Sequence, residues 1–498
     1  MKYLIKYSPE IAMKSRIVRT RFCRQLRKNL ARLLRLHHGL IDLATNPQAS
    51  GVISVEAHWD YLEISLPPEH DTLRPRIEET LRCTPGIWSF SQVQVHALPD
   101  FPAMLALVKA QHAAQLVGKT FAVRCRRTGH HLFRSMDVER FLGAGLLQVQ
   151  DKGPAGVNLD APEVTVALEI RDQELFLVER SMDGIGGFPI GTTDSVISLI
   201  SGGFDSAVAT FLSMKRGLRT HFLFFNLGGR EHEIAVKEVA LYLWMKFGAS
   251  HTVQFITVPF EAVVAEILDK VDSPQMGVVL KRMMLRVAER VANHLEVVAL
   301  VTGESVAQVS SQTLANLAVI DDASNMLVLR PLAMTDKQDI VDLARQIGTE
   351  EFSAVIPEYC GVISVRPTTR ARRHRIEYQE QNFDFGVLDK AFEERVALDI
   401  REMRLEELQQ IPAVEEIQTP EPSAMIIDIR HPDEEALAPL TLTNNTVLRL
   451  PFYRLNKAFS TLQPGQHYLL YCAKGVMSRL HATHLKESGF ANVGVYRP

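Results

Sequence analysis

The 498-residue chain holds only five cysteines, with no Cys-x-x-Cys pair, which leaves no disulfide framework and no zinc site of that spacing. It has no apolar run approaching the roughly 18 residues of a membrane span. The opening Met-Lys-Tyr-Leu-Ile-Lys lacks the hydrophobic stretch of a secretion signal. Neither sign of charge prevails: 55 Lys and Arg stand against 58 Asp and Glu, a net charge of −3. With 46% hydrophobic and 23% charged residues the composition is that of globular domains, and the length predicts several of them. These absences together predict a protein of the reducing cytoplasm with no membrane partner.

What is present is unevenly distributed. Residues 1–40 carry eleven Lys and Arg against one acid, Glu10. Val18, Phe22, Leu26, Leu30, Leu33 and Leu34 recur at helical spacing, which predicts an amphipathic helix with most of its arginines outside. Such a face suits a polyanion such as RNA, and it equally suits plain solvation.

The most informative stretch is 196–206, Val-Ile-Ser-Leu-Ile-Ser-Gly-Gly-Phe-Asp-Ser. A buried-strand run enters a glycine turn and then a helix, so backbone N–H groups and the helix N-terminus can face an anion. No Gly-Lys-Ser/Thr follows the turn, so this is not a Walker loop. Leu199, Ile200, Ser201, Gly202, Gly203 and Ser206 are the candidate phosphate-site residues. Asp205 beside them would repel phosphate without a cation, which points to Mg²⁺; helix N-terminal charge compensation is its plainer role. Strands and helices then alternate through 348, the pattern of a doubly wound parallel sheet. The Ser-Gly-Gly-Phe-Asp-Ser string resembles the pyrophosphate (PP) loop of ATP pyrophosphatases, which implies ATP as substrate.

The fold class expected is multidomain α/β. Residues 1–80 read as an N-terminal α+β, ferredoxin-like unit. Residues 81–182, with the basic loop 124–134, resemble a THUMP domain, a family of RNA-binding modules; Arg124, Arg126, Arg127 and Arg134 are its candidate RNA contacts. Residues 183–396 form the PP-loop domain, and 397–422, rich in Glu, Gln and Pro, a linker. Residues 423–498 form a small α/β domain. There Tyr-Cys-Ala-Lys-Gly-Val-Met-Ser-Arg (471–479) sets Cys472 between a strand and a helix, with Lys474, Gly475 and Arg479 nearby to favour a thiolate. This loop, and the Asp-Ile-Arg at 428–430, resemble a rhodanese domain, whose cysteine carries sulfur as a persulfide. Cys23, Cys83 and Cys125 fit packing positions.

Six strings, at 186–192, 201–206, 225–229, 280–284, 309–314 and 357–364, together resemble the tRNA 4-thiouridine synthetase family over nearly the whole chain. Helical spacing alone puts Lys281, Arg282, Arg286 and Glu289 on a solvated face; the resemblance instead implies that Lys281, Gly303 and Gln312 contact ATP. It further implies uridine 8 of tRNA as target, Cys360 as the thiol that resolves the Cys472 persulfide to a disulfide, and a cysteine desulfurase as sulfur donor. Sulfur delivery to a carrier protein for thiamine thiazole synthesis is implied as well. The run 366–375 offers a second basic segment for RNA. Two rivals stay open at this point: a metabolite-adenylating pyrophosphatase, and a sulfur carrier with a vestigial nucleotide loop.

Overall fold

The computed structural model describes residues 1–42, 51–148, 153–227, 229–356, 364, 366–403, 414–430, 435, 439–472 and 476–498. These form two compact units, 1–192 with 215–217, and 193–214 with 218–498.

The first unit is built on one nine-stranded sheet. Its basic helix, Arg16–His38, buries Phe22, Cys23, Leu26, Leu30, Leu33 and Leu34 against the sheet, as the spacing predicts, and leaves Arg16, Arg21, Arg24, Arg32 and Arg35 exposed. Strand Ile87–Ala97, which the sequence reading did not anticipate, runs through both halves of the unit. It pairs antiparallel with Lys2–Tyr7 on one side and with Glu174–Asp183 on the other. The N-terminal and THUMP-like segments therefore share a continuous sheet with two cores, one around Tyr3, Phe22 and Phe90, the other around Val108, Phe121 and Leu142.

The second unit contains a six-stranded sheet. In spatial order its strands are Leu327–Leu329, Ala299–Val301, Ser195–Leu199, Arg219–Asn226, Gln254–Pro259 and Val396–Asp399. The first five are mutually parallel; Val396–Asp399 closes the edge antiparallel, so three residues of the expected linker lie in this sheet. From Ser195–Leu199 the chain steps outward to Arg219–Asn226 and Gln254–Pro259, then crosses back to Ala299–Val301 on the other flank. That reversal opens a crevice at the carboxyl ends of Ser195–Leu199 and Ala299–Val301, the place where such sheets bind ligands. Helix Met276–His294 covers the sheet with Val279, Met283, Val287 and Val291 buried, again at the predicted spacing.

A third, five-stranded, all-parallel sheet ends the chain, ordered Glu416–Ile417, Val493–Tyr496, Tyr468–Tyr471, Met425–Asp428, Val447–Arg449. Helices Phe452–Phe459 and Val476–Glu487 enclose its core of Ile427, Leu455, Leu470 and Val495. Among the described residues no helix is long and apolar enough to cross a membrane.

Candidate active site

A cavity of about 290 Å³ opens at the topological crevice, and three segments distant in sequence form its polar wall. Leu199, Ile200, Ser201, Gly203, Asp205 and Ser206 arrive from the first strand and its turn, Lys281 from helix Met276–His294, and Gly303 and Gln312 from beyond Ala299–Val301. Leu223, Phe225, Leu280 and Met284 supply an apolar floor.

The turn has the conformation its glycines permit. Gly202 takes φ +84°, and a Cβ there would meet Ile356 Cδ1 at 2.6 Å. Ser206 Oγ ties the turn together, accepting from the Ser201 N–H at 3.2 Å and donating to the Gly203 carbonyl at 3.0 Å. Ser353 Oγ donates to the Gly202 carbonyl at 2.9 Å. Gly303 is required by contact rather than by φ. A Cβ on it would stand 2.5 Å from the Asp205 carbonyl carbon and 2.7 Å from the Ser206 nitrogen. The two loop ends thus meet backbone to backbone at the head of helix Phe204–Lys215.

Asp205 has both carboxylate oxygens engaged: Oδ1 accepts from Lys337 Nζ and Oδ2 from Gln308 Nε2, each at 2.7 Å. Among the described residues no group of three or more His, Cys, Asp or Glu could hold a metal. One carboxylate next to a phosphate cradle is nevertheless a donor set that suits Mg²⁺, which binds through one or two carboxylates plus substrate phosphates.

Lys281 is not the solvated residue that helical spacing suggests. Its Nζ lies 2.6 Å from Glu304 Oε1, and Glu304 also accepts from Arg330 Nε at 2.8 Å and Thr302 Oγ1 at 3.1 Å. Burial alone would push the Glu304 carboxyl up; Lys281 and Arg330 outweigh it and hold the group below the usual carboxylate range. Arg282 also departs from the solvated expectation. It is 4% exposed and donates to Glu380 Oε1 at 2.6 Å, because helix Arg373–Glu380 covers this side of Met276–His294. Arg286 shares Glu380 at 2.8 Å.

Three cavity-side residues escaped the sequence reading. Lys337 and Arg330 act through acidic partners that only the fold brings near. His232, in the first turn of helix Gly229–Leu243, lines the cavity, and its Nε2 lies 3.2 Å from the Ser201 carbonyl. Burial pushes this imidazole down to about 4, so it is neutral at pH 7, and an acceptor-only carbonyl requires the proton on Nε2. A histidine six residues beyond Asn226 at a strand end was the available signal, too common to single out.

Cys472 lies at the end of Tyr468–Tyr471 in the third sheet. It is a free, buried thiol; the Ser478 N–H, in the first turn of Val476–Glu487, donates to Sγ at 3.4 Å. Asp428 and Arg430, 2% and 6% exposed, form a buried pair at 2.6 Å. Arg479 pairs with Glu416 at 3.6 Å. Cys360, Lys474 and Gly475 lie outside the described residues. Cys23, Cys83 and Cys125 are buried free thiols; burial, then Glu139, pushes Cys125 up to about 12.

In the first unit, Arg124, Arg126 and Arg134 are exposed and Arg127 is half-buried. Arg124 donates to the Leu159 carbonyl, and Arg127 reaches the Gly129 carbonyl at 3.0 Å. In the run 366–375, Arg370, Arg372 and Arg375 are exposed, and Arg373 is exposed while pairing with Asp322.

Residues 191–385 match the family described as Thiamine biosynthesis protein (ThiI), and residues 99–178 match the THUMP domain. A tRNA sulfurtransferase of Azotobacter vinelandii is 53% identical over 498 residues, covering 100% of both chains. One of Pseudomonas aeruginosa is 52% identical with the same full coverage. A solved 4-thiouridine synthetase–RNA complex with bound ATP is 26% identical at a TM-score of 0.66, spanning 80% of this chain and 99% of that one. By full-length identity above one half, the chain belongs to the tRNA sulfurtransferase family.

Proposed function

We propose that this enzyme consumes ATP to convert uridine 8 of tRNA to 4-thiouridine, with Cys472 as the sulfur-bearing thiol. The observation that carries the reading is the convergence of Ser201, Gly203, Asp205, Ser206, Lys281, Gly303 and Gln312 on one cavity at the topological crevice. The ATP held by the related synthetase–RNA complex supports placing ATP there.

The backbone donors of the Ser201–Gly203 turn and the head of helix Phe204–Lys215 hold the phosphates, with Lys281 countering their charge. Gln312, 8% exposed at the cavity wall, offers both amide donors and an acceptor for a base edge. Asp205 would hold Mg²⁺, which when bound neutralises charge on the departing pyrophosphate. A uracil O4 is a poor leaving group; its attack on the α-phosphorus releases pyrophosphate and makes it an adenylate.

Sulfur enters as a persulfide on Cys472. Its outer sulfur attacks C4, AMP departs, and a C4–S–S–Cys472 linkage remains. Cys360 thiolate then attacks Cys472 Sγ, the pair of electrons returns to the outer sulfur as the thiocarbonyl, and a Cys360–Cys472 disulfide is left for an external thiol to reduce. The Ser478 N–H, at a helix N-terminus, donates to Sγ and orients it. A cysteine desulfurase supplies the persulfide, in the cytoplasm. The family description by thiamine biosynthesis supports a second outlet, sulfur transfer to a carrier protein for the thiazole. The exposed arginines of Arg16–His38, with Arg124, Arg126, Arg127 and Arg134, hold the RNA backbone.

The test is incubation of unmodified tRNA with ATP, Mg²⁺, desulfurase and cysteine. Absorbance of 4-thiouridine in the near ultraviolet must appear with ATP and be missing without it. Cys360→Ser is expected to stall after one adenylation with the tRNA held through the C4–S–S–Cys472 linkage, and to release 4-thiouridine only when an external thiol is added.

A further inference from the structure

We infer that the contact centred on Phe452 is the seat from which the Cys472 domain serves the nucleotide cavity, with Phe452 as a positioning residue. The inference rests on the reading of Cys472 as the sulfur-bearing thiol. Phe452 is half-buried and packs against two cores at once: the C-terminal one of Ile427, Leu470 and Val495, and that of the nucleotide domain. Its backbone N–H donates to the Ile429 carbonyl at 2.8 Å, which fixes its place beside the Asp428–Arg430 strand end. Its ring centroid lies 5.8 Å from that of His481, a buried residue of helix Val476–Glu487.

One turn before His481 on that helix stands Ser478, whose N–H reaches the Cys472 sulfur. The anchor and the thiol thus belong to one packed piece. Two helix pairs complete the seat. Phe452–Phe459 lies against Glu261–Lys270, and the thiol's own helix, Val476–Glu487, lies against Gly229–Leu243. The latter is the helix whose first turn delivers His232 to the cavity wall. An aromatic side chain spending its area between two cores is poorly explained by the stability of either one alone, because each already has its own filled centre. It is well explained as the registration point between a sulfur-carrying part and an ATP-using part.

The experiment uses the full chain at saturating tRNA and ATP. Phe452→Asp puts a carboxylate between two apolar cores. It is expected to load persulfide on Cys472 from a desulfurase and to bind ATP as wild type does. Its single-turnover thiolation is expected to slow at least tenfold, and amide exchange across 261–270 to quicken. Phe452→Leu should recover most of the rate. Since Phe452 also fills the C-terminal core, Val264→Glu, at a half-buried position of Glu261–Lys270, is measured beside it and decides the matter if Phe452→Asp cannot be loaded. Thiolation at the wild-type rate while exchange across 261–270 has quickened would overturn the seat. Wild-type thiolation by Cys472→Ala would instead remove the reading of the thiol, a different result in a different variant.

Discussion

Lys337 Nζ stands 2.7 Å from one oxygen of Asp205, and Gln308 Nε2 stands 2.7 Å from the other. A lysine 132 positions away in sequence therefore sets the orientation of the acid at the head of the phosphate turn. Replacing it with methionine leaves Asp205 tethered on one side only. Lys337→Met is expected to lower kcat/KM for ATP by about 10- to 100-fold, or roughly 1.4–2.7 kcal/mol. Asp205→Ala should cost more, about 100-fold or greater. Steady-state AMP release with tRNA present measures both.

Gly303 and Gly203, two of the site's glycines, predict opposite outcomes. Gly303→Ala forces a methyl into the Asp205–Ser206 peptide, where the nearest atoms are backbone and cannot rotate away. A loss of about 1–3 kcal/mol of stability is expected, with ATP turnover falling alongside. Gly203→Ala meets nothing nearer than Ser201 Oγ at 3.9 Å. Its fold should be unchanged in urea, and any defect should appear only in KM for ATP.

Glu304 joins Lys281 to Arg330 while buried, so removing its charge takes the carboxylate from Lys281 and leaves Arg330 with Asp321 alone. Glu304→Gln is expected to destabilise the second unit by roughly 3–5 kcal/mol, the cost of breaking a buried pair from one side. It should also raise KM for ATP by releasing Lys281. Urea unfolding at pH 7 and ATP titration check the two effects separately.

Acid should weaken the second unit in two windows. His221 and His232 are each pushed down to about 4, chiefly by burial. Between about 6.5 and 4 the unfolded chain binds protons that the folded one refuses, so stability falls as pH falls through that range. Glu304 and Glu380 lie below their ordinary 4.5; their contribution is complete above that pH and is lost as pH drops further. His232→Gln should remove its own share of the first window, leaving that of His221, and leave the second intact. Denaturant midpoints from about pH 8 down to about pH 2 resolve the two.

Much of the site was legible because its chemistry is local. Gly202, Gly203, Asp205 and Ser206 sit in one turn whose strand and helix announce themselves by periodicity, and Cys472 likewise precedes a helix. The parallel sheet followed from alternating elements. Partnerships made by the fold were not legible. Helical spacing exposes Lys281 and Arg282 equally, and only Glu304 and the covering helix Arg373–Glu380 show that both are engaged. Lys337, Arg330 and His232 carry no local pattern. Strand Ile87–Ala97 was missed because its Ser, Gln and His residues blur the alternation. It is buried by pairing on both sides rather than by one apolar face.

The account stands on coupling between ATP cleavage in the cavity and sulfur delivery from Cys472. The most direct measurement follows AMP and 4-thiouridine together, with tRNA, ATP, desulfurase and cysteine, in the wild type and in Cys472→Ala. The account predicts one AMP per thiolated base in the wild type, and in Cys472→Ala a loss of 4-thiouridine with ATP binding intact. Thiolated tRNA formed at the wild-type rate by Cys472→Ala, or formed by the wild type with no AMP released, would contradict it.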